Sequence, residues 1–148
     1  MPTEHAAATL ILPTLASPAR ELIWLIPLLP FLGALVNGLL GTRLPRSVSG
    51  WLGVLTVAAS FALAIFLVSG GHAGESKLYE WLPLGDFQVP MALRLDALSS
   101  LMILVVTGVG FLIHVYSLGY MAHDERFPRF FTYLNLFVGS MLVLVLGN

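Results

Sequence analysis

Between Leu93 and Asn148 the chain carries two apolar runs of membrane-spanning length, joined by one short charged loop, GYMAHDERFP. Neither run holds an ionised side chain near its middle; the first is sprinkled instead with Ser, Thr, Gly, His and Tyr. Helices that pack on one another in lipid use small and weakly polar side chains at their contacts. The pattern therefore predicts a membrane protein whose helices are built to meet other helices.

Two further runs extend the reading upstream. The first expected span covers about 22–40, LIWLIPLLPFLGALVNGLL. About 19 residues at 1.5 Å each give about 29 Å, enough to cross the hydrocarbon core. Pro27 and Pro30 lie in its first half, which a membrane helix tolerates when neighbours satisfy the carbonyls that proline frees. Trp24 stands near one end, where an interfacial anchor belongs. Gly33, Asn37 and Gly41 recur every four residues and read as a packing stripe. The second span is expected at about 48–68, the third at 97–118 and the fourth at 128–147. Pro128 suits the first turn of the last. Residues 1–21 lack the basic start of a secretory leader, their early ionisable residues being Glu4 and His5, and read as an N-terminal tail.

The segment 77–95 breaks the pattern. In FQVPMALRL the odd positions Phe87, Val89, Met91, Leu93 and Leu95 are apolar, while Gln88 and Arg94 fall between them. Period two is the strand signal. KLYEWL supplies a shorter partner with Tyr79 and Trp81 on one face, and Pro83, Gly85 and Asp86 supply the turn. An open sheet edge cannot sit in hydrocarbon, so the hairpin must lie outside it or under protein. Ahead of it, residues 69–76 read as a solvated connection with His72 exposed. The expected fold is an all-α membrane protein: four transmembrane helices with a small extramembrane β-hairpin between spans two and three. Arg43, Arg46, Arg126 and Arg129 outnumber Arg20, Lys77 and Arg94 on the other side. That bias favours the two short loops as cytoplasmic.

Composition excludes several functions. Charged residues are 10% of the chain and hydrophobic ones 57%, against about 25% charged in soluble domains. A net charge of -1 gives a nucleic-acid partner no electrostatic support. Without a cysteine, the chain has no disulfide, thiolate chemistry or Cys-ligated cluster of its own. No Gly-rich phosphate loop, HExxH or Ser-His-acid set occurs, so no catalytic residue is assigned and no metal ligand set is read.

The polar groups at membrane depth are few, and His114 alone among them titrates near neutral pH. By helical rise His114 stands about 27 Å beyond Asp96, toward the far interface. It is a relay candidate, set against the plainer reading of a hydrogen-bonded His tying two helices. Tyr116 and Asn135 are the other polar candidates, Asn135 more for a bond across helices than for an ion. Asp96 is the expected N-cap of the third span. Arg129, with Arg126, is expected to anchor at headgroups or to pair with Asp124 and Glu125. With no Asp, Glu, Lys or Arg in a span interior, the chain should not conduct protons alone.

The runs LDALSSLM, IHVYSLGYM and RFFTYLNLFVGSMLVLVLGN strongly resemble the start of the L subunit (chain 5) family of proton-translocating NADH–quinone oxidoreductase, respiratory complex I. IPLLPFLGALVNGLLG and the hairpin with Trp81 and Phe87 are similar too, so the resemblance covers about 22–148. It implies the N-terminal part of an antiporter-like, multi-pass subunit of a bacterial-type inner (plasma) membrane. Its implied partners are lipid and the other membrane subunits. NADH, FMN, iron–sulfur clusters and quinone would be handled elsewhere in the complex, with no cofactor in this chain. Family members continue into a fifth span opening with a Trp-Glu pair, and that Glu and later Lys residues form the implied proton channel. The resemblance thus implies an N-terminal piece rather than a working channel. The large subunit of multisubunit sodium/proton antiporters shares the superfamily and is the alternative; a small structural or assembly membrane protein is the third.

Overall fold

The computed structural model describes residues 22–71, 74–84 and 87–147. The expected tail at 1–21, His72 and the turn residues Gly85 and Asp86 lie outside the described residues, as do the side chains of 74–84 and 87–91.

A single 3₁₀ turn, Leu22–Trp24, leads into α1, Leu25–Leu40; α2 is Arg46–Ser69, α3 is Ala97–Tyr120 and α4 is Phe127–Leu146. All four are long and apolar enough to cross a membrane once the 3₁₀ turn is counted with α1. The second span starts two residues before its expected first residue and the third runs two beyond its expected last. Polar Arg46 and aromatic Tyr120 extend those helices past the purely apolar stretch.

Strands β1, Gly74–Leu84, and β2, Phe87–Leu95, pair antiparallel, from Leu84 opposite Phe87 to Gly74 opposite Leu95. The register shifts twice, between Lys77 and Tyr79 and between Glu80 and Leu82. Strand β1 thus takes in Gly74, Glu75 and Ser76, which the sequence suggested as loop. Their partners Leu93, Arg94 and Leu95 explain it: the β2 pattern runs to Leu95, and a hairpin needs an equally long opposite strand.

The helices form an antiparallel bundle. α1 packs on α2 and α4, and α3 packs on α2 and α4, so each helix touches its chain neighbours and α4 closes back on α1. The hairpin covers one end. Leu93 and Leu95 are buried in the main core with Ile23, Leu142 and Leu146, while Arg94 between them is exposed. Leu93 also bridges to Gly147. The strand base is therefore covered by protein, as a sheet edge beside a membrane requires.

Outward faces are apolar at bundle depth: Leu35, Leu55, Leu101, Leu112 and Leu144 are all exposed. A water-soluble bundle would place charge there. A surface of this kind is the one that lipid or other apolar helices would cover.

Candidate functional site

Two apolar clusters fill the bundle. The larger lies toward the hairpin; the smaller is Val54, Phe127 and Phe131 toward the opposite end. Between them runs a polar layer formed by half-buried Thr56 of α2 with buried His114 of α3 and Asn135 of α4.

His114 and Asn135 are fully buried. His114 Nδ1 lies 2.7 Å from the Gly110 carbonyl oxygen. A carbonyl only accepts, so the proton is on Nδ1 and Nε2 presents a lone pair. Among the described residues neither Nε2 nor the Asn135 Nδ2 donor has a hydrogen-bond partner in good geometry. The Asn135 side chain is the polar neighbour of the imidazole. An orphan acceptor thus lies beside an orphan donor. Thr56 Oγ1 donates to the Gly53 carbonyl at 2.9 Å and approaches Asn135 Oδ1 at 3.3 Å. Phe131 packs beside the ring at a tilt of 54°, centroids 5.9 Å apart.

Gly53 makes the layer possible. A Cβ there would fall 2.9 Å from Phe131 Cδ1 and 3.0 Å from Asn135 Nδ2. Only a bare backbone lets α4 bring its amide this close to α2.

Two more polar contacts tie α1 to α2. Asn37 Nδ2 donates to the Ser49 carbonyl at 3.1 Å and Ser49 Oγ donates back to Asn37 Oδ1 at 2.8 Å, both side chains buried. Ser60 Oγ donates to the Ile26 carbonyl at 2.6 Å. The stripe of Gly33, Asn37 and Gly41 is buried, and Gly33 faces Thr56 closely enough that a Cβ would clash with its hydroxyl. Four-residue spacing gave this face away in the sequence. Ser49 and Ser60 carried no such signal, since a serine facing a helix partner looks the same as one facing its own backbone. Thr107, Ser117, Thr132 and Ser140 do the latter, each donating to the carbonyl four residues back.

The remaining sequence candidates are dispersed. Tyr116 is 71% exposed and stacks on Tyr120, far round the helix from the buried face of His114. Asp96 caps α3: its carboxylate accepts from Ser99 N at 2.8 Å, and Ser99 Oγ accepts from Asp96 N at 2.8 Å. Those bonds from the Ser99 backbone and hydroxyl, with Arg94 nearby, hold the Asp96 carboxyl below the usual carboxylate range. Arg129 is exposed on the first turn of α4. No ion pair to Asp124 or Glu125 forms among the described residues; Asp124 accepts instead from the Arg126 backbone N–H at 2.7 Å. Nor, among the described residues, do three or more His, Cys, Asp or Glu side chains gather as a metal site would need.

The arrangement can join helices, and it encloses one imidazole between apolar layers. Among the described residues it offers no continuous path of exchangeable protons. Residues 81–131 match the family described as NADH-ubiquinone oxidoreductase (complex I), chain 5 N-terminus. The chain is 42% identical over 133 residues to NAD(P)H-quinone oxidoreductase subunit 5 of the Chara vulgaris chloroplast, covering 84% of this chain and 20% of that protein. It is 39% identical over 132 residues to NADH-quinone oxidoreductase subunit L of Mycobacterium tuberculosis, 84% and 21% covered. It is 35% identical over 131 residues to subunit L of Neisseria meningitidis, 84% and 19% covered. The matched region thus spans about a fifth of the length of these curated relatives.

Proposed function

Because the chain belongs to the subunit L (chain 5) family of NADH–quinone oxidoreductase, we propose that it supplies the N-terminal helices of a membrane-arm subunit of that complex. In this reading the whole subunit moves protons, driven by electron transfer from NADH to quinone. These four helices serve as its packed, hydrogen-bonded shoulder. The carrying observation is the extent of the similarity: about 130 aligned residues, 84% of this chain, to proteins named as quinone oxidoreductase subunits. Those names favour the oxidoreductase over the antiporter reading.

The helix interiors are chemically fitted to the shoulder role. Buried Asn37, Ser49 and Ser60 bond across helices. The one titratable group at depth, His114, is enclosed by Phe131 and the Gly110 carbonyl. Proton steps then fall to side chains beyond these 148 residues. NADH, FMN, iron–sulfur clusters and quinone fall to other subunits, which are also the proposed covering for the exposed apolar faces. The chain is an integral, multi-pass protein, and we place it in a bacterial-type inner membrane.

An affinity-tagged chain solubilised gently from its native membranes tests this. Comigration with NADH-oxidising, quinone-reducing activity on a native gel is expected. Migration as a free small species, with that activity elsewhere in the lane, would overturn it.

A further inference from the structure

Three cavities line up along the seam between α1 and α4. At the loop end, a pocket of about 470 Å³ is lined by Arg46, Arg126 and Arg129 together with Glu125. A second, of about 250 Å³, shares Thr42, Pro128 and Arg129 with the first and is floored by Gly38 and Thr132. A third, of about 430 Å³, shares Thr132 and continues between Phe31, Leu32, Leu35 and Leu136. From Arg129 to Leu136 is seven residues, or about 10 Å of descent along the helix. The seam thus changes from cationic to wholly apolar over the depth that separates a phospholipid headgroup from its acyl chains.

The charges at the mouth are available. Arg46, Arg126 and Arg129 are exposed. Among the described residues none is held in an ion pair, and the only side-chain bond of the three is a 3.4 Å contact from Arg46 Nη1 to the Ala122 carbonyl. Three guanidinium groups face the Glu125 carboxylate in the lining, with Asp124 bonded to the Arg126 backbone beside it, so the mouth keeps a surplus of at least one positive charge. Guanidinium pairs bind phosphate oxygens in bidentate fashion. At a membrane surface each basic side chain contributes about a fivefold gain toward anionic lipid.

We infer that the α1–α4 seam is a binding site for one anionic phospholipid, its phosphate between Arg46, Arg126 and Arg129 and one acyl chain in the groove of Phe31, Leu32, Leu35 and Leu136. Thr42 and Thr132 sit at the level of the glycerol esters. Gly38 keeps the passage open: a Cβ there meets Thr132 at an ordinary 3.4 Å, so a longer side chain would fill the middle cavity without disturbing the helices.

The test is native mass spectrometry of the full purified chain in detergent with equal amounts of dioleoyl phosphatidylglycerol and dioleoyl phosphatidylcholine. One phosphatidylglycerol should be retained, at least fivefold more often than phosphatidylcholine. Arg126→Gln/Arg129→Gln should cut that retention about twentyfold or more. Gly38→Leu, which removes no charge and leaves the bundle folded by circular dichroism, should cut it as well. Glycerol phosphate at millimolar concentration should not displace the lipid. Equal retention of the two lipids, full retention in either variant, or displacement by glycerol phosphate would each overturn the assignment. They would mean, respectively, a general apolar surface, another site, and a bare anion pocket.

Discussion

Ser60 of α2 donates its hydroxyl hydrogen to the carbonyl oxygen of Ile26 in α1, 2.6 Å away, and that carbonyl is the one Pro30 leaves without a helical donor. In an uninterrupted helix the N–H of residue 30 would bond to the oxygen of residue 26. Proline has no N–H. In water the exposed oxygen would be hydrated; inside this bundle Ile26 is fully buried, so the neighbouring serine takes the donor's place.

Ser60→Ala should therefore destabilise the bundle by about 1 kcal/mol. Pro30→Ala restores the intrahelical donor, and in that background Ser60→Ala should cost close to nothing. Denaturation in mixed micelles, followed by helical circular dichroism over the four-member cycle, gives the coupling. Equal costs of Ser60→Ala in both backgrounds would show that the hydroxyl does not serve Ile26.

Gly53→Ala should lose about 1–3 kcal/mol by the same assay, because its methyl meets Phe131 and Asn135 at 2.9 and 3.0 Å. Gly119→Ala is the matched control. Nothing lies within 4 Å of a Cβ there, and alanine is the better helix former, so that variant should be no less stable than the parent. Similar losses at both positions would contradict close α2–α4 packing at Gly53.

The spans were legible because lipid enforces a crude rule, about twenty apolar residues per crossing, and the hairpin because the odd positions from Phe87 to Leu95 are all apolar, with Gln88 and Arg94 between them. Pairing across helices was not. Asn37 is visible as a stripe residue, but Ser49 as its partner follows from how two helices rotate about their axes, which hydropathy does not record. The same holds for His114 and Asn135. Each is readable as a buried polar residue, yet their meeting depends on Gly53 and Gly110 letting α2, α3 and α4 close together. Tyr116, two residues after His114, shows the converse: adjacency in sequence turns a helical side chain by about 200°, and it lands on the outside.

Acid should loosen the start of α3 through Asp96. Its carboxyl is held below the usual range by the Ser99 N–H and hydroxyl. The stability it lends is fully present above the titration of the unfolded group and is lost as pH falls through the folded value. Amide exchange at Ser99 and Ser100 should accelerate, relative to the α3 centre, as pH drops through the carboxylate range. Asp96→Asn, which caps without ionising, should flatten that dependence. An unchanged pH profile in the variant would assign the effect to another group.

The chain reconstituted in liposomes with an interior pH dye and an imposed potential should pass no more protons than empty liposomes. Its span interiors, 25–40, 47–69, 97–120 and 130–146, contain no Asp, Glu, Lys or Arg. His114 can accept a proton at Nε2, but its first polar neighbour is the Asn135 amide, which does not carry protons onward. Apolar clusters close the bundle on both sides of that layer. The hydroxyls of Thr107 and Ser117 are already committed to carbonyls of their own helix. A relay would need a file of water through Ile103, Val57 and Leu142, all fully buried. Flux above the empty control that disappears in His114→Ala would refute the closed-layer reading and make His114 a proton carrier. Flux that survives His114→Ala would show leakage along the uncovered helix faces, a surface property with no bearing on the buried imidazole.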